Sequence, residues 1–120
     1  MANNRWTEKA QNALRLSYEA ASALGHNYVG SEHILLGLLG EKRGVASKIL
    51  LSYGVTGDAL TAAIVQAIGK GTPGVQPMGM TPHAKEIMEL AAAEAAGQGA
   101  EYIGTEHMLM AILREKDSSA

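Results

Sequence analysis

A short segment that occurs twice constrains the fold of this chain more than any other feature. The sequence YVGSEHIL, at residues 28–35, returns as YIGTEHML at residues 102–109. The two copies align without a gap, and the same spacing of 74 residues also places Thr7 on Thr81. A match of this length indicates an internal duplication, and a duplication determines the architecture before any local feature does.

The spacing of apolar residues between glycines and Ser or Thr residues predicts helices throughout, and no strand pattern occurs. Ser31 and Thr105 are predicted to cap the second and sixth helices, as Thr7 and Thr81 cap the first and fifth. The predicted helices are residues 8–24, a second from the Ser31 cap to about residue 39, 45–53, 58–68, a fifth that opens at Thr81-Pro82, and 106 to about 115. The predicted fold class is therefore all-α, a pseudo-twofold duplicated helical repeat.

The predicted organisation is a single domain over residues 1–120 whose second repeat is truncated. Repeat one spans about 6–69, a Gly- and Pro-rich linker about 70–79, and the incomplete repeat two about 80–116. The sequence ends where repeat one begins its third helix. This favours a piece of a longer protein over a complete protein with a short second copy.

Composition and charge exclude several classes of function. The net charge of −2 and the lack of a basic run argue against a nucleic-acid partner. No apolar run approaches the roughly 20 residues that span a bilayer, and no signal peptide is recognisable. The absence of cysteine removes disulfides, thiolate catalysis and the commonest zinc sites. We expect a cytoplasmic protein without a membrane partner.

No catalytic or metal-binding motif is present. The segment GKGT at residues 69–72 lacks the spacing of a phosphate-binding loop, and no catalytic triad pattern occurs. His33 and His107 each follow a glutamate, but adjacent helical residues point about 100° apart and cannot chelate together. We expect both rings to form local hydrogen bonds between helices, and His26 and His83 to lie at the surface.

Four duplicated polar residues are the candidates for ligand binding. Thr7 and Thr81 begin helices, whose N-termini attract anions. Glu32 and Glu106 stand in the first turns of other helices, where a carboxylate can accept a guanidinium or an ammonium group. The alternative is that all four serve only as caps. Because consecutive helices run antiparallel, the threonine and the glutamate of one repeat should lie at opposite ends of it. A pseudo-twofold axis between the repeats would bring Thr7 near Glu106 and Thr81 near Glu32.

The missing end of the second repeat also predicts self-association. Without counterparts of helices three and four, part of the apolar face of the sixth helix should lack cover. Exposed apolar patches tend to find partners. The residues expected to be exposed are Leu109, Ile112 and Leu113.

Three segments together resemble the N-terminal domain of ClpC/ClpA-type AAA+ unfoldases, most closely ClpC of Gram-positive bacteria. They are WTEKA (residues 6–10), LGHNYVGSEHILLGLL (24–39) and MTPHAK (80–85). The resemblance implies a non-catalytic domain of two four-helix repeats, with no cofactor of its own, because ATP binds in the ATPase domains. It also implies partners: adaptor proteins, substrate proteins tagged with phosphoarginine, and the ClpP peptidase through the parent unfoldase.

By this resemblance, Glu32 and Glu106 would hold the guanidinium of phosphoarginine, while Thr7 and Thr81 with neighbouring amides would hold its phosphate. Two alternatives stay open. One is a stand-alone accessory protein of the Clp core, and the other is a helical protein-interaction scaffold without a small-ligand site.

Overall fold

Six helices form the whole of the described structure. The computed structural model describes the backbone of residues 5–119 and the side chains of residues 5–115, so residues 1–4 and 120 of the predicted domain lie outside the described residues. Within residues 5–119 there is no β-strand beyond two isolated bridges, which confirms the all-α prediction. The helices are α1 (Glu8–Ala23), α2 (Ser31–Gly40), α3 (Val45–Ser52), α4 (Gly57–Ile68), α5 (Pro82–Gly97) and α6 (Thr105–Ser119).

Threonine caps begin α1 and α5, as predicted. The Thr7 hydroxyl oxygen accepts the Ala10 N–H at 3.0 Å, and the Thr81 hydroxyl oxygen accepts the Ala84 N–H at 3.0 Å. Each bond satisfies one of the donors that a helix start leaves unpaired. Both threonines therefore have a structural role in addition to any ligand they bind.

The starts of α2 and α6 differ from the prediction, because Ser31 and Thr105 are the first helical residues and not the caps. A histidine supplies the side-chain partner at both starts. The His33 Nδ1 accepts the Gly30 N–H at 2.9 Å, and the His107 Nδ1 accepts the Gly104 N–H at 2.9 Å. The ring thus satisfies a donor before the helix, so the glycine needs no side chain.

Thr105 has another use. Its hydroxyl oxygen accepts the Ala46 N–H at 3.3 Å, at the start of α3, where Gly44 provides no side-chain cap. A residue of the second repeat therefore caps a helix of the first.

The α6 helix continues to Ser119, beyond the predicted end near residue 115. The reason lies in the sequence, since the two glycines that end and follow α2, Gly40 and Gly44, correspond to Arg114 and Ser118. Without a glycine to adopt the turn, nothing stops the second copy of the helix.

The core is built from two helix hairpins, α1 with α2 and α5 with α6, and α2 packs against every other helix. The α1 and α2 helices cross closely at Gly37. A side chain there would overlap the Ala13 carbonyl and the Ser17 hydroxyl, so the close crossing requires glycine. The largest fully buried apolar side chains are Ile34, Leu38, Ile87, Met108 and Val29.

Two short backbone bridges join the repeats, and they are equivalent under the duplication. Trp6 pairs with Ile103, and Val29 pairs with Met80. The adjoining Thr7 N–H donates to the Ile103 carbonyl at 2.9 Å. In each bridge, the segment before a capped helix of one copy meets the loop before the second helix of the other. The starts of α1 and α6 are thereby brought together.

The expected exposure along α6 is only partly correct. Leu109 is 4% exposed and Ile112 is partly buried, whereas Leu113 is 51% exposed. The prediction is wrong for Leu109, because three helices of the first repeat, α1, α2 and α3, pack on α6 and supply cover. Self-association stays a prediction.

Within the described residues, no single helix is long and apolar enough to cross a membrane. Only α3 and α4 taken together meet that length and composition, and they are bent by 81°.

Candidate ligand-binding site

One pocket of about 500 Å³ contains both a predicted anion-binding threonine and a predicted cation-binding glutamate. Thr7 lines it from the start of α1, and Glu106 lines it from the start of α6. The bridge between Trp6 and Ile103 positions both elements. The other lining residues are Glu8, Lys9, Val45, Gln98, Ala100, Tyr102, Gly104, Thr105 and His107.

The α1 side of this pocket is suited to an anion. The N–H groups of Glu8 and Lys9 lie in the first turn, where no intrahelical acceptor exists. The Thr7 hydroxyl oxygen is occupied by the Ala10 N–H, but its hydrogen can still be donated. The Lys9 side chain adds a positive charge. Together these groups provide donors and a favourable potential.

The α6 side presents a carboxylate. Glu106 is partly buried and has no hydrogen-bond or ion-pair partner among the residues whose side chains are described. Its carboxylate folds back over Gly104, where an added Cβ would lie 2.5 Å from Oε1. Gly104 therefore leaves the space that this carboxylate occupies.

Each histidine of the duplicated motif is buried and forms a hydrogen bond with the loop before its helix. His33 and His107 are buried, and each ring accepts the N–H of the glycine three residues earlier. The Nε2 of His107 meets the Gln98 Oε1 at 3.1 Å. The prediction of locally bonded histidines is confirmed. In the Gly-[Ser/Thr]-Glu-His motif, glycine makes room for the carboxylate and histidine anchors the turn.

The second predicted pair, Thr81 and Glu32, is arranged differently, because Thr81 does not line the described cavity that contains Glu32. Glu32 lines a smaller cavity of about 250 Å³ with Ser31, Leu35, His83, Ile87, Ile112 and Glu115. The Thr81 N–H donates to the Val29 carbonyl, in the loop before α2, at 2.9 Å.

The chemistry around Glu32 differs from that around Glu106 as well. Pro82 has no N–H to offer, and His83 stands at the position of Lys9. The His83 Nε2 lies 3.3 Å from the Glu115 carboxylate. The two sites are therefore related by the duplication but are not equivalent.

Comparison with known proteins agrees with this duplicated architecture. The family model described as "Clp repeat (R) N-terminal domain" matches residues 5–120. The chain belongs to the Clp N-terminal repeat family. Domains of this family are non-catalytic interaction domains, and their parent proteins are AAA+ ATPases.

Two relatives illustrate the extent of the similarity. The chaperone protein ClpB of Oceanobacillus iheyensis is 43% identical over 120 residues, which is all of this chain and 15% of that protein. The negative regulator of genetic competence ClpC/MecB of Bacillus subtilis is 42% identical, with the same coverage. The chain thus spans about 15% of the length of these curated relatives.

Solved structures show the same fold. The N-terminal domain of the chaperone ClpD from Arabidopsis thaliana superposes with a TM-score of 0.75 at 25% identity, over 90% of this chain and 75% of that one.

His26 is not the surface residue that was expected in this Clp N-domain. It is partly buried, its Nδ1 lies 2.7 Å from the His33 Nε2, and its Nε2 lies 2.8 Å from the Gly69 carbonyl oxygen. Burial is the main cause that lowers the pKa of His33, against the opposing effect of Glu32, whose carboxylate lies 3.8 Å away. His83 is exposed, as expected.

Sequence reasoning missed several residues that line the first pocket of this Clp N-domain. Lys9 could have been found, since it stands two residues after a predicted cap. Tyr102 is half-exposed, and the Arg5 guanidinium lies 5.9 Å from its ring centre. Val45 gave no signal, because α3 has no described counterpart in the second copy and its contact with α6 depends on tertiary packing.

Proposed function

We propose that this Clp N-domain is the recognition module of an ATP-dependent unfoldase and that its first pocket binds phosphoarginine in substrate proteins. The observation that carries the proposal is the presence of anion-binding donors and a carboxylate in one pocket. Phosphoarginine needs both, because it joins a phosphate anion directly to a guanidinium group.

The two ends of the pocket match the two ends of this side chain. The N–H groups of Glu8 and Lys9, the Thr7 hydroxyl and the Lys9 ammonium suit the phosphate. The Glu106 carboxylate suits the N–H groups of the guanidinium, which it can accept bidentately. Tyr102 offers an exposed ring to the same planar group.

Thr81 and Glu32 form the second proposed site, with lower affinity than the first. One backbone donor is absent at Pro82, and a histidine replaces the lysine. The Glu115 carboxylate shares the cavity with Glu32 and disfavours a phosphate nearby. The proposal therefore ranks the Thr7–Glu106 site above the Thr81–Glu32 site.

Calorimetric titration with free phosphoarginine tests the proposal, with arginine and inorganic phosphate as reference ligands. We expect saturable binding of phosphoarginine that exceeds both references. Glu106→Gln should lower the affinity about tenfold or more, since hydrogen bonds to a charged group contribute about 1.5–3 kcal/mol.

Glu101→Gln is the matched control, because Glu101 is an exposed acid of the same loop that does not line the pocket. Equal binding by the Glu106 and Glu101 variants, or no binding by the folded domain, would contradict the proposal.

An apolar groove supports a wider role in adaptor and substrate binding. Between α1 and α5 lies a cavity of about 440 Å³ lined by Trp6, Ala10, Gln11, Leu14, Arg15, Tyr18, Met80 and Met88. Such a surface suits an apolar segment of a protein partner. The proposed parent protein hydrolyses ATP in its other domains and passes substrates to the ClpP peptidase in the cytoplasm.

A further inference from the structure

A continuous chain of hydrogen bonds runs through two imidazole rings in the first repeat. We call Gly30, His33, His26 and Gly69 the imidazole chain. The Gly30 N–H meets the His33 Nδ1 at 2.9 Å, the His33 Nε2 meets the His26 Nδ1 at 2.7 Å, and the His26 Nε2 meets the Gly69 carbonyl at 2.8 Å. It connects the start of α2, the α1–α2 loop and the end of α4.

The ends of the imidazole chain dictate its protonation state. A backbone N–H only donates, so the His33 Nδ1 must carry the lone pair. A carbonyl only accepts, so the His26 Nε2 must carry a hydrogen. The ring-to-ring bond then forms only when the His33 Nε2–H donates to an unprotonated His26 Nδ1. All three bonds coexist only while both rings are neutral.

One added proton breaks the chain wherever it lands. A proton on the His33 Nδ1 faces the Gly30 N–H, and a proton on the His26 Nδ1 faces the His33 Nε2–H. The second repeat lacks this sensitivity between side chains, because His107 pairs with the neutral amide of Gln98 in place of a second ring.

The segment that follows Gly69 depends on the same corner of the fold. Residues 70–79 are held against the α1–α2 loop by backbone bonds, with the Gly71, Gly74 and Met78 N–H groups donating to carbonyls in that loop and the end of α1. The approach is so close that a Cβ on either Gly25 or Gly71 would overlap the other chain segment. This segment leads directly into the Val29–Met80 bridge.

We propose that the imidazole chain is an acid-sensitive fastening, which holds the end of α4 and residues 70–79 on the α1–α2 loop at neutral pH and releases them when either ring is protonated. The release is local to the first repeat's loop and the segment that enters α5. It leaves the α1–α6 pocket in place, since that pocket is held by the other bridge.

The surrounding charges agree with this direction. Among the described residues, burial opposes a charged His33 most strongly, Glu32 from α2 favours it, and His26 from the α1–α2 loop opposes it, so that the net effect lowers the His33 pKa. From the α4 side the rings meet the Gly69 carbonyl, with the exposed Lys70 next in the chain. A histidine pKa below the unfolded value contributes stability that is complete above about pH 6.5 and is lost as the pH falls from there toward the lowered pKa.

Hydrogen exchange at pH 7.5 and pH 5.5, corrected for intrinsic rates, tests the fastening. In the wild-type chain we expect the hydrogen-bonded amides of Gly71, Gly74 and Met78 to lose protection at the lower pH, because protonation breaks the imidazole chain. His26→Gln places an amide that can accept from His33 and donate to Gly69 at any pH. Only His33 can then be protonated, so the loss of protection should be smaller than in the wild type. His83→Gln, at an exposed histidine, should behave as wild type.

Two outcomes would overturn the proposal. One is unchanged protection of residues 70–79 in the wild type, and the other is an equal loss in the His26→Gln variant. If that variant does not fold, a ¹⁵N titration of the wild-type imidazoles decides the matter. Protonation of the His26 or His33 ring must then coincide with the shift of the amides of residues 70–79, and a lack of coincidence refutes the fastening.

Discussion

A glycine sets the direction of each glutamate in the duplicated motif. The three heavy atoms nearest to a Cβ built on Gly104 all belong to the Glu106 side chain, and the same holds for Glu32 at Gly30. Neither glycine has a positive φ, so the backbone itself accepts an alanine. Glycine is therefore required at these positions to leave space for the carboxylate, and the fold itself does not require it.

Gly104→Ala should separate binding from folding. The added methyl displaces the Glu106 carboxylate, so the affinity for phosphoarginine should fall about tenfold, a change of about 1.4 kcal/mol. The free energy of unfolding should change by less than about 1 kcal/mol. Calorimetry and urea unfolding measure the two quantities. Gly57→Ala, where nothing lies within 4 Å of the new Cβ, is the control, and equal affinity of the two variants would contradict this role.

At the scale of helices, the sequence predicted existence and order better than ends. The sequence predicts caps at Thr7 and Thr81, because a threonine before an apolar helical pattern has a specific partner, the N–H three residues on. The same rule predicts caps at Ser31 and Thr105. This prediction is wrong, because a buried histidine ring supplies the side-chain hydrogen bond at both helix starts. No local pattern reveals that a ring three residues later will turn back to the glycine.

The loops after α1 and α5 begin with equivalent glycines in unequal surroundings. Gly25 has φ +74° and touches residues 71–72, whereas Gly99 has φ +70° and nothing within 4 Å. Gly99→Ala should therefore cost only the strain of a positive φ, about 1 kcal/mol. Gly25→Ala should cost about 1–3 kcal/mol more, because the methyl must push the 70–79 segment away.

Chemical denaturation of the two variants measures this difference directly. The pair is matched in residue type, backbone conformation and position in the repeat. Equal destabilisation would mean that residues 70–79 do not rest on Gly25 in solution.

Over the whole molecule, the sequence shows the duplication, but it predicts the arrangement of only one of the two sites. The pairing of Thr7 with Glu106 follows from a pseudo-twofold arrangement, and both residues line one pocket. The pairing of Thr81 with Glu32 follows from the same argument, yet Thr81 does not line the cavity of about 250 Å³ that contains Glu32. The backbone bridges follow the duplication, whereas Pro82, His83 and the longer α6 make the two sites different.

The role of His26 could not be predicted for a related reason. Its position in the second copy is Ala100, so the duplication gave no sign of a contact. The ring is held by His33 and by Gly69, which lies 43 residues away in sequence. Only the packing of α4 against the first hairpin creates that site.

Amide NMR spectra recorded during a phosphoarginine titration test most directly whether one site is shared by two repeats. The amides of Lys9, in the first repeat, and Glu106, in the second, should shift along with the same dissociation constant. The amide of His33, beside the second site, should shift with a weaker constant. Shifts confined to one repeat, or unequal constants for Lys9 and Glu106, would contradict a composite site.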